Sequence, residues 1–193
     1  WPHRSHVIEL ALKKAYDEGK KFKVIVVDSR PKFEGKVLLK RLVQHGIHCT
    51  YIMLNAISYI LKEVSKVLIG AHGLLSNGSV FSRAGTSLIA MMAHHCDHSV
   101  PVIVATETFK FAERVQLDSI CFNELDDPDY LNTTNPNDNL RDWKDNPQLK
   151  LLSLVYDVTP IEYIDVVITE VGMIPPTSVP VVIREYRKDL PSL

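Results

Sequence analysis

A surplus of charge of either sign is the first thing this chain lacks. Its 193 residues hold 22 Lys and Arg against 23 Asp and Glu, for a formal net charge of −1. Without a net positive field, the sequence argues against a general nucleic-acid or anionic-membrane binder. Cysteine is scarce: Cys49, Cys96 and Cys121 are scattered and odd in number. They argue against a disulfide framework and for a reducing, cytosolic setting. No apolar run approaches the length that spans a bilayer, and no signal-peptide pattern opens the chain. Nucleotide-binding glycine patterns are missing too. Gly70, Gly73 and Gly78 do not follow GxGxxG, and the SNGS turn at 76–79 is no Walker loop. The chain begins on Trp1 rather than Met and enters a helical pattern almost at once. It therefore reads as a fragment whose upstream part is missing.

What is present is an alternation of two periods. Val7, Ile8, Leu10, Ala11, Leu12 and Ala15 recur at helical spacing, with Gly19 placed to cap the helix. Phe22 to Asp28 is a continuous apolar run, the mark of a strand buried on both faces of a parallel sheet. Val37, Leu38, Leu42 and Val43 give a second helix that stops at Gly46. Strands at Cys49 to Leu54, Val67 to Ala71 and Val100 to Thr106 alternate with helices at Ile57 to Val64 and Thr86 to His94. The polar stretch 123–147, rich in Asp, Asn and Pro, reads as a surface excursion. The pattern resumes with Leu151 to Tyr156, Pro160 at a helix start, a strand at Val166 to Ile168 and a closing helix from Val181. The expectation is one α/β domain over 1–193, Rossmann-like and doubly wound, with a mainly parallel sheet and helices on both faces.

In such folds ligands gather at the carboxyl ends of strands. Asp28, Ser29, Arg30 and Pro31, followed by Glu34 and Gly35, occupy one such end. Arg30 offers a planar fork for phosphate or carboxylate. The plainer alternative is that Asp28 caps the next helix and Arg30 pairs with a neighbouring acid. The second such end is the segment IGAHGLLSNGSVFSRAGT, Ile69 to Thr86, read as a strand, a Gly- and Ser-rich turn, and a helix with unpaired first N–H groups. His72 at the strand tip can act as acid or base near neutral pH. Asn77 with Gly78 is a turn signal. Arg83 and Thr86 can hold an anion at the helix start, or form only a packed turn with an exposed Arg.

Other chemistry-bearing clusters have simpler readings. His94, His95, Cys96, Asp97 and His98 lack a second ligand cluster, and a closed zinc site needs about four ligands; a helix C-terminus also favours His through its dipole. No metal site is assigned. Glu124, Asp126, Asp127 and Asp129 read as a solvated or partner-facing acidic loop, since nothing there raises a pKa. Glu107, near Lys110, Glu113 and Arg114, reads as a member of an ion pair at the sheet edge.

Several blocks occur in order: VDSRPKFEG (Val27 to Gly35), VSKVLIGAHGLLSNGSVFSRAGT (Val64 to Thr86), PVIVATETFKFAERV (Pro101 to Val115), FNELDDPD (Phe122 to Asp129), LVYDVTP (Leu154 to Pro160) and ITEVGMIPPTSVP (Ile168 to Pro180). Together they resemble the alpha, beta and delta regulatory subunits of eukaryotic translation initiation factor 2B, from about Ser5 to Arg184. NELDDPD and the closing block point to the delta branch. That family shares its fold with isomerases of methylthioribose 1-phosphate and ribose 1,5-bisphosphate. The isomerases carry G-A-D where this chain has Gly70, Ala71 and His72, and N-G-D-V-A-N-K-I-G-T where it has Asn77 to Thr86. An acid–base Asp is thus replaced by His72, and a substrate-holding Asn by Ser82 with Phe81 beside it. The isomerases' catalytic Cys belongs to a strand that would precede this fragment.

The resemblance implies a regulatory subunit of the guanine-nucleotide exchange factor for initiation factor 2, without a catalytic site, cofactor or metal. Asp28, Arg30, His72, Asn77, Ser82 and Arg83 would then outline a vestigial ligand pocket. The implied partners are the beta and other subunits of factor 2B, and initiation factor 2 itself, through its phosphorylated alpha subunit. Nucleic acid and membrane are not among them, and the implied setting is cytosolic. The alternative is a sugar-phosphate isomerase, or a relative that binds a sugar phosphate or nucleotide through the Arg30, Asn77 and Arg83 side of the pocket.

Overall fold

The computed structural model describes residues 5–113, 115, 124–132, 140 and 143–188. Arg114, Cys121, Phe122, Asn123 and much of the polar excursion lie outside them. Helix α1 (His6–Asp17) starts at Ser5, whose side chain accepts the Ile8 N–H at 3.4 Å. Strand β1 (Val24–Asp28) pairs in parallel with β2 (Cys49–Met53), with helix α2 (Gly35–Gln44) crossing between them. After the short helix α3 (Ile57–Ile60), strands β3 (Val67–Gly70), β6 (Val102–Ala105) and β9 (Val166–Thr169) form a parallel set. Strand β10 (Gly172–Ile174) folds back antiparallel on its edge. In β1, the run expected to be buried on both faces, Val26 and Asp28 are buried and the other three residues half-buried; Val102, Val104 and Val167 are fully buried.

The expected α/β class is the observed one, but a single mainly parallel sheet is not the whole architecture. A second four-stranded sheet runs β7 (Phe111–Ala112), β4 (Gly73–Leu75), β5 (Val80–Arg83), β8 (Tyr156–Thr159), with antiparallel pairings on both sides of β5. The stretch expected as a Gly- and Ser-rich turn from β3 to the next helix is therefore a β-hairpin. Helix α4 (Thr86–His95) follows it, and α5 (Val179–Lys188) closes the chain. Turn chemistry explains the hairpin. Asn77 accepts the Ser79 N–H at 3.1 Å and Gly78 takes φ +81. A Cβ at Gly78 would lie 2.4 Å from Ile161 Cδ1 and 2.9 Å from the Pro176 carbonyl, so the turn is packed under the chain that leads into α5.

The described parts of the polar excursion are anchored. Val155 donates to the Glu124 carbonyl and Asp126 to the Ser153 carbonyl, at 3.0 and 2.9 Å, around a bridge between Leu125 and Leu154. Trp143 Nε1 donates to Asp129 Oδ1 at 2.8 Å and Lys144 pairs with Asp129 Oδ2 at 2.9 Å.

Candidate functional site

The carboxyl ends of β1 and β3 and the open end of the β4–β5 hairpin frame the site. Asp28, the last residue of β1, is fully buried. Its Oδ1 accepts the Ser29 N–H at 2.9 Å and its Oδ2 accepts the Tyr51 hydroxyl at 2.8 Å. Burial, followed by this bond to Asp28, pushes the Tyr51 hydroxyl up to about 12. A Cβ on Gly35 would sit 2.8 Å from the Asp28 carboxyl carbon, so only glycine lets α2 start this close. Asp28 thus buttresses the strand end through Ser29 and Tyr51.

Beyond it lies a cavity of about 90 Å³, lined by Arg30, Lys32, Phe33, Glu34, Arg83 and Val155 among others. Ligand pockets usually span about 300 Å³ or more, so this one is too tight for a pentose bisphosphate as it stands. Phe33 holds φ at +50, a left-handed conformation rare for an aromatic residue. Two of the cavity's three cations, Lys32 and Arg83, face carboxylates. Arg83 Nη2 meets Glu34 Oε1 at 3.3 Å, with the Arg83 side chain 13% exposed. Lys32 Nζ pairs with Asp126 Oδ2. That hydrogen bond foremost holds the Asp126 carboxyl below the usual carboxylate range. The acidic-loop reading therefore fails for Asp126, whose side chain is only 17% exposed. Arg30 stands exposed on the cavity wall.

The helix start that looked ready for an external anion is also filled. Asp157 on β8 accepts the Gly85 and Ser87 N–H groups on its Oδ2 at 2.7 and 3.0 Å. Burial drives its carboxyl up to about 6, against the pull of those N–H donors. Its Oδ1 is buried with no hydrogen-bond partner among the described residues. Thr86 turns inward, its hydroxyl donating to the Arg83 carbonyl at 2.6 Å.

His72 is exposed and its ring lies 4.7 Å from Tyr156 and 5.8 Å from Phe81, centroid to centroid. Its backbone N–H donates to the Phe81 carbonyl at 2.9 Å. Ser82 is buried and its hydroxyl donates to the Gly70 carbonyl at 2.9 Å, pinning the hairpin over the end of β3. The structure therefore brings Asp28, Arg30, Ser82 and Arg83 to one end of the strands, with His72 beside them in an aromatic stack. Asn77 lies apart, at the closed end of the hairpin, the length of β5 from Arg83. Lys32, Asp126 and Asp157 are the residues that sequence reasoning missed. Lys32 and Asp157 were marked only by their presence inside the ordered blocks and Asp126 only as part of an acidic loop, because each acts through a partner distant in sequence.

Elsewhere, Glu107 pairs with Lys110 at 2.7 Å as expected. His95 Nδ1 meets the Met91 carbonyl at 3.0 Å, and the His94, His95 and Tyr163 rings meet edge to face. No group of three or more metal-ligating side chains occurs among the described residues. No helix among them is long and apolar enough to cross a membrane.

Parallel strands ending on a small cavity, where the chain's own carboxylates meet Lys32, Arg83 and the start of α4, define an α/β domain with an internally paired strand-end site. The chain belongs to the initiation factor 2 subunit family, whose model matches residues 2–176. It is 56% identical to translation initiation factor eIF2B subunit delta of Dictyostelium discoideum over 98% of its length, and 51% identical to the Schizosaccharomyces pombe subunit delta over 90%. It spans 31% and 38% of the lengths of those two relatives. It is also 39% identical to the ribose 1,5-bisphosphate isomerase of Pyrococcus furiosus, over 90% of this chain and 52% of that one. Among solved structures, eIF-2B subunit delta from A. fulgidus matches with a TM-score of 0.75 at 25% identity, over 90% of this chain and 50% of that one. The tetrameric eIF2B-beta2-delta2 complex from C. thermophilum matches with a TM-score of 0.70 at 31% identity, over 85% of this chain and 47% of that one.

Proposed function

We propose that this chain is part of a delta-type regulatory subunit of the exchange factor for translation initiation factor 2, and that it has no catalytic site of its own. The observation that carries the reading is the internal neutralisation of the strand-end cavity. Glu34 meets Arg83 and Asp126 meets Lys32, so two of the three cations that could hold a phosphoryl group are already engaged. Aldose–ketose isomerisation also needs an acid and a base whose proton states the site sets as a pair. His72, where the isomerases carry an acid–base Asp, is exposed with its ring against Tyr156 and Phe81. Asp28, Arg30, His72, Ser82 and Arg83 are then a remnant pocket, and Asn77 a structural turn residue. The beta subunit is the proposed partner, in keeping with the beta2-delta2 assembly of the C. thermophilum relative. Other subunits of the factor and the phosphorylated alpha subunit of initiation factor 2 complete the set, in the cytosol.

The second reading, an isomerase or sugar-phosphate binder, draws on the likeness to the Pyrococcus furiosus isomerase and on Arg30 at the cavity wall. Two measurements on the full-length protein separate them. Ribose 1,5-bisphosphate should not be turned over; turnover that His72→Ala abolishes would overturn the regulatory reading. Millimolar inorganic phosphate should leave the melting temperature of the parent unchanged. It should raise that of Asp126→Asn by one to a few degrees, on the order of the shift a weak native-state ligand gives.

A further inference from the structure

The opposite end of β1 carries a second feature that the strand-end pocket does not use. The chain reaches β1 through Lys20, Lys21, Phe22 and Lys23, which form neither helix nor strand. Val24 N–H donates to the His48 carbonyl at 2.9 Å and ties this segment to the approach to β2. Phe22 packs against the core of Val26, Leu42 and Ile47, while Lys21 and Lys23 on either side of it are exposed. Alternation along an extended chain thus places these two lysines together on the solvent side. Nearby acids are already engaged: Glu18 with Lys20 at 3.2 Å and Asp17 with His45 at 2.8 Å. Lys21 and Lys23 have no ion pair or hydrogen bond among the described residues. With Tyr16, Gly19, Lys20, Phe22 and His48 they line an open groove of about 740 Å³, and among the described residues its lining includes no acidic side chain, Glu18 reaching only Lys20 at its margin.

We infer that this groove docks an extended acidic segment of a partner protein. Residues two apart on extended backbone are roughly 7 Å apart, so Lys21 and Lys23 match carboxylates at alternate positions of an extended peptide. Tyr16, 40% exposed, and the edge of Phe22 give the intervening side chains an apolar surface. Gly19, with nothing within 4 Å of a would-be Cβ, leaves the approach clear. A nucleic acid fits less well, because its affinity grows with the number of phosphates neutralised. A groove with three lysines on a chain of net charge −1 offers neither a long track nor a long-range field.

The test is fluorescence anisotropy of the full-length protein with a fluorescein-labelled octapeptide of alternating glutamate and tyrosine. Saturable binding that weakens with added salt is expected. Lys21→Gln/Lys23→Gln should weaken it roughly fivefold, the worth of two exposed ion pairs. Lys40→Gln/Lys66→Gln, which removes the same charge elsewhere, should leave it unchanged. Equal binding of the glutamine–tyrosine peptide overturns the inference, as does tighter binding of oligouridylate, an unaffected Lys21/Lys23 variant or no binding at all. These substitutions are on exposed side chains, so folding is not at stake.

Discussion

Asp157 shows how one side chain can hold a turn together and still carry a cost. Its carboxylate caps α4 from a neighbouring strand, yet burial raises its pKa to about 6. The folded value lies above the unfolded one of about 3.9, so the folded state holds this proton more tightly. Stability from this group is therefore full below the unfolded pKa and is lost as pH rises through about 6, on the order of 3 kcal/mol in all. Asp157→Asn keeps an oxygen acceptor for the helix N–H groups and removes the titration. Urea midpoints measured between about pH 4 and pH 7 should fall more steeply for the parent than for Asp157→Asn. Parallel profiles would show that Asp157 does not titrate as its surroundings dictate. Asp28 and Arg30 were legible at this scale, because a strand end followed by a helix is a recurring ligand position. The Lys32–Asp126 pair was not, because a stretch dense in Asp and Asn signals solvation and says nothing about a distant lysine.

Elements of the fold differ in how clearly the sequence declared them. The apolar runs of β1, β3 and β6 and the helical spacing of α1 and α2 announced themselves, since burial on both faces or on one stripe leaves a strong period. The β4–β5 hairpin did not. Its strands are short, its turn is Gly- and Ser-rich, and Ser82 and Arg83 interrupt the apolar alternation of β5. What fixes it is tertiary: Ser82 bonded to Gly70, and Gly78 packed under Ile161 and the Pro176 carbonyl. Gly78→Ala should accordingly cost about 2–4 kcal/mol, combining a left-handed φ with overpacking. Equilibrium denaturation measures that loss. A cost below about 1 kcal/mol, the range of a simple glycine effect, would mean that the hairpin turn can lift off Ile161. The same hairpin carries Arg83 to the cavity wall, with Ala84 just beyond it, so a loosened turn should also disturb the cavity.

For the molecule as a whole, the main question is which surface meets a partner, since the chain's near-zero net charge gives no long-range guidance. Exposed apolar side chains supply some. The Leu125–Leu154 bridge gathers Leu125, Leu152 and Leu154 into one strip, in which Leu125 and Leu152 are 69% and 64% exposed. Phe109, Val171 and Met173 are further exposed apolar residues, on the segments that the Thr108 N–H bond to Glu170 Oε1 at 3.0 Å and the β9–β10 turn join. Large exposed apolar residues in contiguous strips mark surfaces that are covered in an assembly. If the beta subunit covers one of them, Leu152→Asp or Met173→Asp should abolish its co-purification with the full-length protein. Neither change should alter the melting temperature by more than about 2 °C, because neither side chain is part of the core. Whichever set gives that result is the pairing face. Full recovery of the beta subunit with both variants would place the interface elsewhere, and would leave the exposure of both sets to be explained by other subunits.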